Sequence, residues 1–137
     1  MPNASLVVHD FSYGFVRRFV YHLHGLIRRH LDPQSELFIC SEVDAAAYPD
    51  GLVFMIGENL PAFRRRPGCV YAYLNLSVVT LLGSPFAASL GGHRQVLRKR
   101  RMFSGKLPLI DMLLDYYPPQ TARLETALSL PVMGFDV

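Results

Sequence analysis

Polar side chains follow the apolar runs that the sequence predicts as strands, at the point where each run ends. They are carboxylates, a hydroxyl, carboxamides and a phenol: Asp10, Ser12, Glu58, Asn59, Asn75, Asp115 and Tyr116. In open α/β sheets, ligands bind outside the carboxyl ends of the strands. A carboxylate in such a cleft could deprotonate a substrate hydroxyl. Any turn also favours polar residues, and that plainer interpretation stays open for each of them.

Six apolar runs predict the strands that would position these side chains. They span residues 5–9, 35–40, 52–56, 69–74, 112–114 and 131–135. Helical or short connections separate the runs, so we expect parallel pairing with right-handed crossovers. The sequence therefore predicts a single α/β domain over residues 1–137. Its fold should be Rossmann-like and three-layered, with a mostly parallel sheet of about six strands.

The longest predicted helix follows the first strand. Asp10 to Gly14 is expected to form a turn, with Ser12 capping the helix that begins there. Apolar residues then recur every three or four positions, which is typical of a helix with one buried face. They are Phe15, Val16, Phe19, Val20, Leu23, Leu26 and Ile27. Asp32-Pro33 is expected to end the helix.

Common catalytic and cofactor motifs are absent from the sequence. The first turn contains Gly14 but no Gly-x-Gly-x-x-Gly fingerprint, and there is no P-loop and no Gly-x-Ser-x-Gly elbow. His22 and His24 are two residues apart on a predicted helix, so they cannot easily share a metal ion. His9 is expected to be a core histidine. We therefore predict no cofactor and no metal site.

Cys40 and Cys69 each lie in a predicted strand. In the usual strand order, strands two and four flank strand one, which puts these Cα atoms about 10 Å apart, beyond the reach of a disulfide. Two lone thiols of this kind fit small core residues in a reducing cytoplasm. The N-terminus lacks the pattern of a signal peptide, and no run reaches the roughly 18 apolar residues of a membrane span. The sequence predicts a cytoplasmic protein.

Positive charge is concentrated in the middle of the chain. The net charge is +3, yet residues 59–110 carry nine Lys and Arg and no acid. The set Arg94, Arg98, Lys99, Arg101 and Lys106 is predicted to contact an anionic surface, because several of its members share a helix face. The apolar segment from Val78 to Phe86 precedes it, so an anionic membrane is a candidate partner. A solvated basic face remains the alternative, and nucleic acid is disfavoured because aromatic residues are not interleaved with the basic ones.

Three segments are similar to a group of bacterial glycosyltransferases. Residues 52–61 (LVFMIGENLP) resemble an apolar strand followed by Gly-x-Asn/His-Leu-Pro, and residues 66–76 (RPGCVYAYLNL) resemble the Pro-Gly-x-Ile-x-Tyr-Asn-Leu strand that comes next. Residues 114–118, 123–124 and 130–132 resemble the Asp-Tyr-Ser and Gly-Val-x-Val close of the N-terminal domain in that group. The resemblance covers roughly residues 50–137. One departure is Ser77-Val78, where the group tends to have Glu-Gln.

In such two-domain GT-B enzymes, the N-terminal Rossmann-like domain holds the acceptor and the C-terminal domain holds the nucleotide-sugar. The resemblance implies that this chain is the acceptor-binding half, with a sugar or a lipid-linked molecule as acceptor. Glu58 or Asp10 would be the general base. The expected substrate-binding residues are Phe11, Ser12, Gly14, Gly57, Asn59, Asn75, Asp115 and Tyr116. The alternative is a non-catalytic binding or assembly module, with a protein partner or a second copy held through Val78 to Phe86.

Overall fold

The computed structural model describes residues 3–57, 59–76, 101, 103–115 and 118–134. These residues contain a six-stranded sheet in which all neighbouring strands run parallel. The strands are β1 (Ala4–His9), β2 (Glu36–Cys40), β3 (Gly51–Ile56), β4 (Cys69–Asn75), β5 (Met112–Asp115) and β6 (Val132–Gly134). Each coincides with a predicted apolar run to within one residue. The predicted α/β, Rossmann-like architecture is confirmed.

Side chains alternate between the two faces of the sheet, and each face builds its own core. Helix α1 (Asp10–His30) covers one face, where Leu6 and Val8 of β1 meet Val20 and Ile27 of the helix. Val7 points to the opposite core, which helix α2 (Pro118–Ala127) and the chain connections cover. The connections include short 3-10 turns at Val43–Ala45 and Leu107–Leu109. The fold therefore has three layers, with the sheet in the middle.

The strand order is β2-β1-β3-β4-β5-β6. The expectation that strands two and four flank strand one is wrong, because β3 pairs with β1 on the side away from β2. The run in β3 is the more apolar of the two and takes a central place, whereas β2 lies at the edge and leaves Ile39 46% exposed. Cys40 and Cys69 are both free, as predicted. In the sheet, two strands lie between β2, which contains Cys40, and β4, which contains Cys69, whereas the predicted order placed one strand between them.

Helix α1 begins earlier than the sequence indicated. It starts at Asp10 directly after β1, so the predicted turn at residues 10–14 is helical instead. His9 is the N-cap rather than Ser12, and its side chain accepts a hydrogen bond from the amide of Phe11. Phe15, which was expected in the core, is 78% exposed. The helix also kinks at Val16, where φ is −119° and ψ is 23°.

Asp32 joins the end of α1 to the beginning of the sheet. Its two carboxylate oxygens accept hydrogen bonds from the backbone amides of Ala4 and Gln34, each 2.9 Å long. These bonds favour the charged carboxylate and hold the pKa of Asp32 below its usual value. Asp32 therefore holds the first residue of β1 in place, whereas the sequence predicted only that Asp32-Pro33 ends the helix.

Candidate functional site

A pocket of about 340 Å³ opens at the carboxyl ends of β1, β3 and β4. The chain passes from β1 to β2 on one side and then crosses back to β3 on the other side of β1, so the direction in which strands are added reverses at β1. That reversal is the switch point where open α/β sheets place their ligands. Among the residues that the structure describes, ten from α1 and the ends of β3 and β4 line the pocket: Phe11, Ser12, Phe15, Val16, Ile56, Gly57, Asn59, Tyr73, Leu74 and Leu76.

The walls of the pocket are mostly apolar and aromatic, and few polar groups interrupt them. Ser12 brings a hydroxyl from the first turn of α1, and Asn59 brings a carboxamide from the segment after β3. Sites for small molecules have this composition, because apolar walls supply affinity and a few polar groups fix orientation. The pocket therefore suits a molecule with an apolar body and one or two polar groups.

Gly57 sets the floor of the pocket. Its backbone φ is +134°, a value that residues other than glycine rarely adopt. A Cβ atom at this position would lie 2.5 Å from Cβ of His9 and 3.3 Å from Oγ of Ser12. The end of β3 thus approaches the β1–α1 junction more closely than any residue with a side chain allows.

Asp10 lies at the amino end of α1, next to the pocket lining. Its Oδ1 accepts a hydrogen bond of 2.7 Å from the amide of Phe11, and Nδ1 of His9 accepts from the same amide at 3.3 Å. The Asp10 side chain is 58% exposed. A carboxylate at a helix amino terminus is favoured by the helix dipole. Asp10, the first residue of the helix after the N-cap His9, therefore bonds an amide of the first turn and still presents its carboxylate to solvent.

Lys106 was predicted to contact an anionic surface, and the structure contradicts this. The residue is only 2% exposed. Its Nζ donates a hydrogen bond of 3.3 Å to the carbonyl of Gly57 and lies 4.7 Å from the centre of the Tyr73 ring. Lys106 is drawn inward because its ammonium finds a carbonyl and an aromatic face at the carboxyl ends of β3 and β4. It supports two residues that line the pocket.

Asn75 and Asp115 come together as the strand-end pattern predicted, but in a cluster of their own. Nδ2 of Asn75 donates to Oδ1 of Asp115 at 2.8 Å, and Oγ1 of Thr121 donates to Oδ2 at 2.7 Å. All three residues are buried, and none lines the pocket. Thr121 was not predicted; its only signal was its place in the first turns of a helix that follows Asp115. The cluster joins β4, β5 and α2.

The arginine run at residues 64–66 lies within the basic block but contains two structural residues. Arg65 pairs with Asp111, 3.0 Å away, and Arg66 pairs with Asp50. Burial alone would raise the pKa of Asp111, yet the hydrogen bonds from Arg65 and from the amide of Tyr71 lower it. Arg65 thus holds the connection before β4 against the start of β5, and Arg66 holds it against the segment that precedes β3.

The remaining predicted residues divide into three groups. Phe11, Ser12, Gly57 and Asn59 line the pocket, whereas Gly14 lies on the exposed side of α1, with open space where a Cβ would be. Arg101 is exposed. The other predicted residues lie outside the part of the chain that the structure describes: Glu58, Tyr116, Arg94, Arg98, Lys99 and the segment from Val78 to Phe86.

The apolar half of the lining was not predicted. Ile56, Tyr73 and Leu74 were read as strand core, and Phe15 and Val16 as the buried stripe of the helix. The available signal was that β3 is apolar to its last residue, Ile56, and β4 is apolar as far as Leu74, so apolar side chains reach the edge of the sheet where the pocket opens.

Cys40 shows no sign of an activated thiol. Burial raises its pKa, and the neighbouring carboxylates of Asp10 and Glu42 act in the same direction, although a hydrogen bond from the amide of Glu42 opposes them. A thiol with a raised pKa is a poor nucleophile at neutral pH. This agrees with the interpretation of Cys40 as a structural residue.

Within the described ranges, no cluster of three or more His, Cys, Asp or Glu side chains is placed to hold a metal ion. None of the helices that the structure describes is long and apolar enough to cross a bilayer. Comparison with known proteins finds no matching family model, no matching curated protein and no matching solved structure. The resemblance to bacterial glycosyltransferases therefore stays a prediction.

Proposed function

We propose that this domain binds a small molecule in the pocket at the ends of β1, β3 and β4, as the acceptor-binding half of a glycosyltransferase. The observation that supports binding most strongly is the position of the pocket at the switch point of a parallel sheet. Its volume lies at the lower end of the roughly 300–1,000 Å³ of small-molecule sites. The ligand would be a compact hydroxyl-bearing molecule with an apolar portion.

The glycosyltransferase part of the proposal is supported by the resemblance of residues 52–61 and 66–76, which contain the ends of β3 and β4. Three residues of the pocket lining fall in the first segment and three in the second. An acceptor hydroxyl in the pocket would need a base at its rim. Asp10 is adjacent to the lining residue Phe11, and Glu58 lies in the chain between Gly57 and Asn59.

Binding is tested by placing a larger side chain at a position that lines the pocket. Ser12→Leu adds an apolar side chain where the hydroxyl now faces the pocket, and Ser129→Leu makes the same change at an exposed position after α2. The probes are phenyl β-glucoside and glucose, with binding measured by saturation-transfer NMR. We expect the phenyl glycoside to bind the wild type and Ser129→Leu, and Ser12→Leu to weaken that binding at least tenfold. Equal binding by all three proteins would contradict the proposal.

Transfer is tested in a protein that also contains a nucleotide-sugar domain. Asp10→Asn and Glu58→Gln each remove one candidate base while keeping the size of the side chain. If either carboxylate deprotonates the acceptor, its variant should lose at least about tenfold in turnover, somewhat below the usual range of about 10²–10⁴ for general acid–base catalysis. Turnover that neither change lowers would refute both assignments.

A second candidate is a non-catalytic binding module of the same fold. It is favoured by Asp10, because one oxygen of this candidate base already accepts a hydrogen bond from the amide of Phe11. One experimental result distinguishes the two candidate functions. A binding module retains ligand binding in the pocket, but no sugar is transferred when a nucleotide-sugar domain is present.

A further inference from the structure

The outer face of α1 combines aromatic and basic side chains. Residues 11 and 15 are four apart before the kink at Val16, and residues 18, 22 and 29 recur at spacings of four and seven after it, which places each group along one side of its part of the helix. All five are exposed. Phe11 is 62% exposed and Phe15 is 78% exposed, and their rings pack edge to face with centroids 5.3 Å apart. Two large apolar rings thus stand together on the surface.

Basic residues outnumber acids on helix α1. Its one acid is Asp10, at the first position next to Phe11, and residues 11–30 carry four arginines, three histidines and no acid. The buried side of the helix is apolar, with Val20 and Ile27 facing the sheet. The arginine positions, 17, 18, 28 and 29, are all exposed. Tyr21, 83% exposed, lies among them.

We infer that the outer face of α1 binds the surface of an anionic lipid bilayer. The part of α1 after the kink, residues 17–30, is about 21 Å long, so several arginines could reach lipid phosphates when it lies flat. Phe11 and Phe15 would enter the boundary between headgroups and acyl chains, as aromatic side chains do in interfacial helices. Arginine suits this role, because its guanidinium binds phosphate oxygens in pairs.

The composition of the face favours lipid over nucleic acid. The two phenylalanines pack on each other at one end of the helix. Proteins that bind single strands spread aromatic side chains along a basic groove so that successive bases can stack. A convex helix face with its aromatic side chains paired at one end fits a bilayer better. Phe11 and Phe15 also line the pocket, whereas Arg18 and Arg29 do not, so the arginine variants test this surface separately from ligand binding.

The inference is tested by co-sedimentation of the protein with vesicles of phosphatidylcholine alone or mixed with an equal part of phosphatidylglycerol. We expect binding to the anionic vesicles only. Each arginine near an anionic surface should contribute roughly fivefold in partition, so Arg18→Gln should weaken binding about fivefold and Arg18→Gln/Arg29→Gln about 25-fold. Phe11→Ala/Phe15→Ala should weaken the binding that remains at 1 M salt, where charges are screened beyond about 3 Å.

Arg64→Gln is the matched control. Arg64 is exposed and lies next to Phe63, whose side chain packs in the core on the face of the sheet opposite α1. We expect this control to change partition less than twofold. Four results would overturn the inference: equal binding to neutral and anionic vesicles, equal loss in Arg18→Gln and Arg64→Gln, loss only in Arg101→Gln, or binding to single-stranded DNA without binding to vesicles. Circular dichroism of each variant checks that these exposed changes leave the fold intact.

Discussion

Replacing Gly57 by alanine should destabilise the domain strongly, because two separate features of the structure oppose a side chain there. A residue other than glycine at a φ of +134° is strained by about 1–3 kcal/mol. The added Cβ would also lie 2.5 Å from Cβ of His9, and overpacking of this kind costs about 1–3 kcal/mol more. We therefore expect a loss of about 3 kcal/mol in the free energy of unfolding, with about 2 kcal/mol as the lower limit.

Urea unfolding followed by circular dichroism measures this loss. With a slope of about 2 kcal/mol per molar urea, the midpoint should fall by about 1.5 M. Gly25→Ala is the matched control, since nothing lies within 4 Å of the position where its Cβ would be. It should stabilise the protein by about 0.5–1 kcal/mol, because alanine is the better helix former. If Gly57→Ala unfolds within about 0.5 kcal/mol of the wild type, the close approach of β3 to the β1–α1 junction is wrong.

Two further predictions concern buried acids. Asp32→Asn should lower the melting temperature at neutral pH, and the difference should shrink as the pH falls below about 4. The reason is that a lowered carboxyl pKa contributes stability above the unfolded value, and this is lost as the folded group is protonated; a difference that does not change with pH would exclude this reason. Thr121→Val removes a buried hydrogen bond to the Asp115 carboxylate and should cost about 1.5–3 kcal/mol in urea unfolding. The exposed Thr126→Val should change stability by less than about 0.5 kcal/mol, and equal effects of the two would contradict a role for the buried cluster.

The strands could be predicted from the sequence because parallel strands are buried on both faces and therefore read as continuous apolar runs. Their order could not, since the runs of β2 and β3 differ only in degree and pairing is decided over the whole sheet. Phe15 illustrates the same limit. Its spacing fits the buried stripe, but α1 starts at Asp10 and kinks at Val16, and these features leave its ring exposed.

The candidate site was predicted in part. Ser12, Gly57 and Asn59 were found because polar residues and glycine at strand ends are visible in the sequence. Lys106 was assigned to the surface on charge alone, because no local pattern shows that its ammonium reaches the Gly57 carbonyl across the fold. Contacts between residues 49 positions apart are set by tertiary packing, which local patterns do not encode.

The proposed function requires that the pocket at the ends of β1, β3 and β4 binds the ligand. The decisive measurement is a titration of ¹⁵N-labelled protein with phenyl β-glucoside, followed through the amide chemical shifts. We predict saturable shifts concentrated at Ser12, Gly57, Asn59 and Leu76, which surround the pocket, and no comparable shifts near Asp32 or Asp111. Shifts that do not saturate, or that cluster away from the ends of β1, β3 and β4, would contradict the central claim.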